Sequence, residues 1–382
     1  MSWGDIWQHE CRAVFSNQAL LLTVFGGVLL YSFLYPLPYI NQVPREQQVA
    51  VVNLDGSQLS RRLERMVDAT PQVQLTSRAH SLAEAEQLFI AQKLAGILVI
   101  PENFYRDLLL GRQPTLSFAG DAGYFLVYGT VIEGLAGAGQ TLAAEVKISR
   151  MVMAGAAIVQ AKEQFSTLQL NVQPVFNPGM GYVNYVIPAV FILILHQTLI
   201  MGLGILGGEQ NERRLQGEKG YWLKARPEQL LLVRMGLFVG IYWALCMYYF
   251  GCIFSLYHIP HLADFSQLNL LILPFLLSTT LLGICLGLLL PRRELATLLV
   301  LLSSIPLIFA SGFIWPNAQI PGPLTLLVQI FPVIPAIKAF IAVNQMGADF
   351  GDILPFYKQL WLCAGVYGAL AWWLLRRQAR CA

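Results

Sequence analysis

Long runs without a single charged side chain constrain this sequence more than any other feature. Residues 13–44, 181–208, 235–263, 265–290 and 295–337 contain no Asp, Glu, Lys or Arg, and a shorter gap runs from 359 to 375. A helix needs about 20 apolar residues to cross roughly 30 Å of hydrocarbon. An ionised Asp, Lys or Arg at its centre costs about 2.5–3.5 kcal/mol. The runs therefore predict a polytopic α-helical membrane protein with six transmembrane helices, near 18–38, 181–206, 231–256, 266–290, 295–315 and 357–376. Composition agrees: 56% of residues are hydrophobic and 12% charged, where a soluble domain carries about 25% charged residues. An ordinary soluble enzyme, a coiled coil, a collagen and a disordered chain are excluded. The net charge of +3 is too small to argue for nucleic acid. Six cysteines with no C-x-x-C pair, and no histidine at ligand spacing, point to neither a zinc site nor a disulfide framework.

Lysine and arginine orient the spans. One side holds Arg12, then Arg213, Arg214, Lys219, Lys224 and Arg226, then Arg292 and Arg293, then Arg376, Arg377 and Arg380. The opposite loop 257–265 has neither residue type, and 316–355 has only Lys338. By the positive-inside rule both termini are cytoplasmic, a parity that six spans satisfy. The first span is longer than a signal-peptide core and offers no small-residue cleavage site, so an uncleaved anchor at 18–40 is expected. The charge-free run 295–337 is too long for one helix. Pro316, Pro321, Gly322, Pro323, Pro332 and Pro335 break it, which predicts a hairpin at 316–355 re-entering the outer leaflet, with a plain apolar loop as the alternative.

Residues 41–178 differ in kind. They hold 23 of the charged residues, against 24 in the remaining 244 positions. Strand patterns at 49–53, 73–75, 96–100 and 115–118 alternate with helical ones at 57–68, 81–94 and 103–110. This predicts an α/β extracytoplasmic domain inserted between the first two spans. Ser81 and Glu84 stand at capping-box spacing, and Asp55, Gly56 and Ser57 read as a turn with a helix cap. The proline-free stretch from 124 to about 170 reads as one long helix or a broken pair, with Gly134, Gly137 and Gly139 as candidate bends. No catalytic constellation accompanies them.

Directly after the second span comes the one dense cytoplasmic patch, residues 207–220, with Glu209, Glu212, Arg213, Arg214, Gly217 and Glu218. Its mix of Glu, Arg and Leu predicts a short interfacial helix ending at Gly217; a solvated connector is the simpler alternative. Further on, Ser311, Gly312, Phe313, Ile314, Trp315 and Pro316, then Ile320 and Pro321, close the fifth span. Phe331, Pro332, Pro335 and the run Asn344, Gln345, Met346, Gly347 precede the last. In this order of parts the chain resembles the permease subunit of ABC-2 type (type V) exporters, in the bacterial branch with a large periplasmic domain. That family's cytoplasmic motif often reads Arg-Glu-Arg-Glu…Gly-Thr, where Arg213, Arg214, Gly217 and Glu218 stand here.

The resemblance implies an ATP-binding-cassette exporter subunit with no nucleotide site of its own. Consistently, no G-x-x-x-x-G-K-[ST] phosphate loop occurs, so ATP and Mg belong to a partner ATPase subunit. It implies that residues 207–220 form the coupling helix, braced by an amphipathic N-terminal helix within 1–17. It implies a second permease copy or paralogue, with a pathway lined by the first, second and fifth spans, and location in the bacterial inner membrane among its lipids. A periplasmic adaptor protein is a further candidate partner of residues 41–178.

Polar residues inside spans are functional candidates by default. Asn184, Tyr185, His196 and Gln197 in the second span, with Ser303 and Ser304 in the fifth, are the candidate pathway groups; a lone His bonded to a neighbouring helix is the simpler alternative. The apolar, aromatic-rich bundle suits an amphipathic or lipophilic cargo (drug-, lipid- or glycan-like, as in multidrug efflux). Two other readings compete. A proton-coupled carrier lacks the paired intramembrane carboxylates it needs. A membrane-anchored scaffold or receptor would use the external domain to recruit a partner. An intramembrane enzyme lacks both HExxH and GxSxG.

Overall fold

The computed structural model describes residues 1–165 and 174–380. The chain divides into two compact units, one of Met1–Gln42 with Pro174–Ala382 and one of Val43–Gln173.

Helix α1 (Trp3–Phe15) starts at a capping box. Ser2 Oγ accepts the Asp5 N–H at 3.2 Å, and Asp5 Oδ2 accepts the Ser2 N–H at 2.9 Å. Ile6, Glu10 and Val14, each four residues apart, form its buried stripe, while Trp3, Trp7 and Phe15 stay exposed. Helix α2 (Gln18–Tyr39) is long and apolar enough to cross a membrane. Asn17 caps it, accepting the Ala19 and Leu20 N–H groups at 3.0 and 3.2 Å. A π-helical turn at Leu22–Gly26 interrupts it, and Leu20, Val24 and Val28 keep one face buried.

In the second unit, β1 (Gln47–Asn53), α3 (Gln58–Asp68), β2 (Val73–Ala79), α4 (Leu82–Gln92), β3 (Gly96–Ile100), α5 (Phe104–Leu109) and β4 (Ser117–Gly120) alternate, followed by α6 (Phe125–Met153) and α7 (Ile158–Phe165). The sheet order is β2-β1-β3-β4, with β1 parallel to both neighbours and β4 antiparallel. Helices cover both faces, so β1 is buried on both sides. Val49 and Val51 pack with Leu63, Val67, Val131 and Leu135, and Ala50 and Val52 pack with Ala85 and Leu94 on the other face. Asn53 accepts the Asp55 and Gly56 N–H groups (3.2 and 2.9 Å), and Ser57 caps α3 through the Ser60 N–H at 3.1 Å. At α4 the box is skewed: Ser81 Oγ takes the Glu84 N–H, but the Glu84 carboxylate reaches the His80 N–H at 2.8 Å rather than that of Ser81.

Two segments differ from expectation here. Strand β2 runs on to Ala79, paired with β1 through a register shift between Val49 and Ala50, and β4 sits two residues further along than 115–118. The long helix is not broken at Gly134, Gly137 or Gly139; it stops after Met153, and Gly155 adopts φ +97° before α7. Gly134 instead admits close packing, since a Cβ there would stand 3.0–3.1 Å from Thr70, Gln72 and Val73. Residues 166–170 of the expected helical stretch lie outside the described residues.

The first unit resumes with α8 (Tyr182–Leu215), α9 (Tyr221–Lys224), α10 (Pro227–Leu256), α11 (Phe265–Leu289), α12 (Glu294–Ala310), α13 (Gly322–Val328), α14 (Val333–Asn344) and α15 (Phe350–Arg380). Among the described residues, four helices, α2, α8, α10 and α11, have the length and apolar composition of full spans. The α13–α14 pair makes a fifth if counted as one broken span, its halves bent by 89°. Helix α12, at 17 residues, covers about 26 Å at 1.5 Å per residue. Helix α15 begins at Phe350, with Pro355 inside it, so the segment expected as a hairpin to 355 ends earlier. Pro321 and Pro332 directly precede α13 and α14, Pro335 is buried in the first turn of α14, and Gly312 (φ +91°) closes α12 beside the exposed Trp315 and Pro316.

Helix α8 is the axis of this unit. Every residue from Val186 to Ile200 is buried, and α11, α12 and α14 pack along it. Small residues permit the approach: Gly204 faces Ala296 of α12, and Gly207 faces Gly287 of α11, backbone against backbone.

Candidate functional site

Helix α8 holds 34 residues, about 51 Å at 1.5 Å per residue, which exceeds a hydrocarbon core of roughly 30 Å. Its charged end must therefore leave the apolar layer. No break precedes that end. The separate interfacial helix expected at 207–220 is not formed; residues 209–215 are the last turns of α8 itself, because nothing from Gly207 to Leu215 interrupts the helical ladder. Gly217, at φ +85°, stops it. The Glu218 N–H bonds to the Arg213 carbonyl and the Gly217 N–H to that of Arg214, both at 3.0 Å, a Schellman closure.

The six coupling candidates divide by environment. Glu209 is tied down, accepting from Asn17 Nδ2 and from Arg213 Nη2, each at 2.6 Å. Glu212 and Arg214 are half-buried, and Arg213, Gly217 and Glu218 are exposed. A cleft of about 500 Å³ opens beside them, lined by Asn17, Glu209, Arg213, Trp222 and Arg293 among others.

Behind this face lies a buried polar cluster drawn from four elements. Arg234 of α10 clamps Glu10 of α1 as a fork, Nε to Oε2 at 3.0 Å and Nη2 to Oε1 at 2.6 Å. Arg234 Nη2 also donates to Gln210 Oε1 of α8 at 2.9 Å. Tyr221 of α9 donates its hydroxyl to Glu10 Oε1 at 2.8 Å and accepts from Gln210 Nε2 at 3.2 Å. The Arg234 and Glu10 side chains are 3% and 0% exposed, so the pair survives in a dry setting because each charge is matched and hydrogen-bonded. Burial first, and the Glu10 carboxylate second, push the Tyr221 hydroxyl well above its ordinary pKa. It remains a donor throughout the physiological range. His9 stacks on the Tyr221 ring at 5.1 Å.

Sequence reasoning missed these four residues. Two signals were present. Arg234 sits inside the third charge-poor span, where a cation needs a counter-charge. Glu10 stands between Ile6 and Val14 on the apolar stripe of α1.

One position further on, Asn211 joins α8 to two more helices. Its Nδ2 donates to the Gly287, Leu288 and Leu290 carbonyls at 3.0, 3.0 and 2.8 Å, satisfying the end of α11. Its Oδ1 accepts from Gln378 of α15 at 3.0 Å.

The pathway candidates do not converge on one place. His196, Gln197 and Ser303 line a common cavity of about 200 Å³ between α8, α11 and α12. Ser304 instead turns its hydroxyl onto the Val300 carbonyl at 2.7 Å. Asn184 and Tyr185 lie in the first turn of α8, at the end opposite Glu209, where Tyr185 donates to the Phe313 carbonyl beside Gly312.

A long apolar helix bundle whose central helix carries a charged, rigidly backed end is the architecture of a multi-pass membrane protein. The chain belongs to the ABC-2 family transporter proteins, whose family model matches residues 19–373. It is an ABC-2 type permease, the membrane subunit that works with an ABC ATPase. No curated protein matches it.

Proposed function

We propose that this chain is the permease of an ATP-driven exporter, moving an amphipathic or lipophilic cargo outward across a bacterial inner membrane. The observation that carries the reading is the end of α8. It presents Glu212, Arg213, Arg214 and Glu218 at a Schellman stop, while Glu10, Gln210, Tyr221 and Arg234 brace it from behind. A surface that receives a push from an ATPase must not yield locally, and a fully satisfied buried network supplies that stiffness. The force then travels along one unbroken helix to the cavity at His196 and the turn at Gly312.

In this reading α2, α8, α10, α11, α12 and α15 are the six crossings, and the bent α13–α14 pair dips back from the outer side. Both termini and the Arg-rich ends are cytoplasmic, and residues 41–178 are periplasmic, available to an adaptor protein. Two permeases, identical or paralogous, assemble with two ATPase subunits that hold ATP and Mg. Leu298, Leu301, Leu302 and Ile305 of α12 are exposed, which supports a neighbouring permease or lipid on that face and a pathway between the copies.

The test is charge reversal of the full chain co-expressed with its neighbouring ATPase. Glu212→Lys with Arg213→Glu should abolish co-purification of the ATPase or uncouple its hydrolysis from cargo. Unchanged binding and turnover would remove the end of α8 from the coupling role.

A further inference from the structure

Four large apolar side chains of the second unit stand exposed at one pole of its sheet: Ile90 (78%), Tyr124 (71%), Phe125 (83%) and Leu126 (45%). Strand polarity gathers them there. Parallel β1 and β3 begin side by side, with Val49 opposite Gly96, and antiparallel β4 ends at the same level, with Gly120 opposite Gly96. Helix α4 stops just before β3, and α6 starts just after β4. The start of β1, the end of α4 and the first turn of α6 therefore share a pole. Glu46, Phe89, Ile90, Lys93, Asp121 and Tyr124 line a cleft of about 680 Å³ there. None of the four exposed side chains joins either core of the unit. Scattered singly they would need no explanation, but a cluster rimmed by polar residues marks an interaction surface.

The chain decides which surface lies within reach. The Gln42 carbonyl accepts the Tyr182 N–H at 2.8 Å, and the Tyr39 and Tyr182 ring centroids are 4.6 Å apart, an aromatic pair of the kind found where an apolar span meets water. Five residue steps lead from Gln42 to Gln47, the first residue of β1, and fully extended they cover about 18 Å. The start of β1 is thus tethered within that distance of the bilayer surface. The charges around it, Arg45 and Lys93 against Glu46 and Asp121, are all exposed and cancel. A strongly charged partner finds no net field at this pole. A bilayer, apolar under its headgroups, matches exposed aromatic and aliphatic side chains that carry no net charge around them.

We propose that this pole is a lipid anchor: Ile90, Tyr124, Phe125 and Leu126 insert among the headgroups of the leaflet beside it and hold the α/β domain on the membrane surface. The inference needs only that α2 spans a membrane; it does not rest on the export reading or on the nature of the cargo. Interfacial segments seat their apolar face about 5–10 Å into the boundary between headgroups and acyl chains. Tyr124 suits that boundary, with an apolar ring and a hydroxyl that stays wet. The hold comes from burying apolar surface, so neither salt nor the charge of the lipid governs it.

The experiment places an environment-sensitive NBD fluorophore on Phe125→Cys or Met153→Cys in the purified full chain, reconstituted in phosphatidylcholine vesicles. Wild type labelled in parallel gives the background of the native cysteines. Met153 is the matched control: it is 76% exposed and ends the 29-residue helix that Phe125 begins, about 42 Å away at 1.5 Å per residue. The label at 125 should be blue-shifted, shielded from aqueous iodide, and quenched by lipids bearing a nitroxide near the headgroup end of the acyl chain. The label at 153 should show none of these. Ile90→Asp with Leu126→Asp, both at exposed positions, should return the 125 label to the behaviour of the 153 label. Raising the salt or adding phosphatidylglycerol should change neither label. Iodide access at 125 equal to that at 153, with no lipid quenching, overturns the anchor. Shielding from iodide without lipid quenching means that protein covers the pole, and overturns it too. Lipid quenching that needs phosphatidylglycerol, or that high salt removes, overturns apolar insertion as the hold.

Discussion

Arg234→Met will lower the thermal midpoint of the full chain sharply and release the ATPase subunit. The substitution keeps much of the side-chain volume but leaves the Glu10 carboxylate, 0% exposed, without its forked partner. Removing one member of a buried pair costs about 3–5 kcal/mol, because the surviving charge stays desolvated and unmatched. Four elements lose their common tie at once, since α1, α8 and α9 meet α10 through this guanidinium and carboxylate. The double variant Glu10→Gln with Arg234→Met should recover most of the stability, because a neutral buried arrangement is often no less stable than the ion pair. Differential scanning fluorimetry in detergent and a pull-down with the ATPase read both effects. A single variant as stable as wild type, still holding its ATPase, would show that the cluster braces nothing.

The second large effect is expected at Gly207. A Cβ there would lie 2.6 Å from the Gly287 Cα, and one at Gly287 would lie 2.6 Å from the Leu203 carbonyl oxygen. The obstructing atoms are backbone, so no rotamer change relieves the clash and the helices themselves must separate. Gly207→Ala should cost about 1–3 kcal/mol by overpacking, and Gly207→Leu should prevent recovery of a monodisperse protein by size exclusion. Gly236 and Gly240 on α10 are the controls, with nothing within 4 Å of an added Cβ. Alanine there should be neutral or stabilising by about 0.4–1 kcal/mol, through reduced freedom of the unfolded chain. If Gly207→Ala behaves like Gly236→Ala, the close crossing does not hold the bundle together.

Several features were legible from residues alone because local chemistry sets them. The charge-free runs gave the positions of α2, α8, α10 and α11, since hydrocarbon excludes charge along every span. Ser57 and Gly217 marked a helix start and a helix stop, since both act on backbone groups within a few residues. Where two local solutions were nearly equivalent, the reading missed by a step. Glu84 reaches His80 rather than Ser81, and β4 pairs with β3 two residues later than its apolar run suggested, because only the neighbouring strand decides register. The expected interfacial helix failed for a related reason. Its composition signalled a surface, but nothing in it requires a chain break, and a 34-residue helix can carry a charged end past the membrane unaided.

By itself the sequence determined that this is a membrane-embedded helical chain, with one charge-rich insertion and one dense charged patch after the second span. Those properties follow from transfer energies and dihedral preferences, which act residue by residue along the chain. Only the tertiary structure decided that Glu10 answers Arg234 across 224 positions, and that Asn211 closes the end of α11. It also decided that His196, Gln197 and Ser303 share a cavity while Ser304 does not. A buried polar group needs a partner at about 3 Å with the right geometry, and which residue supplies it depends on how helices distant in the chain pack.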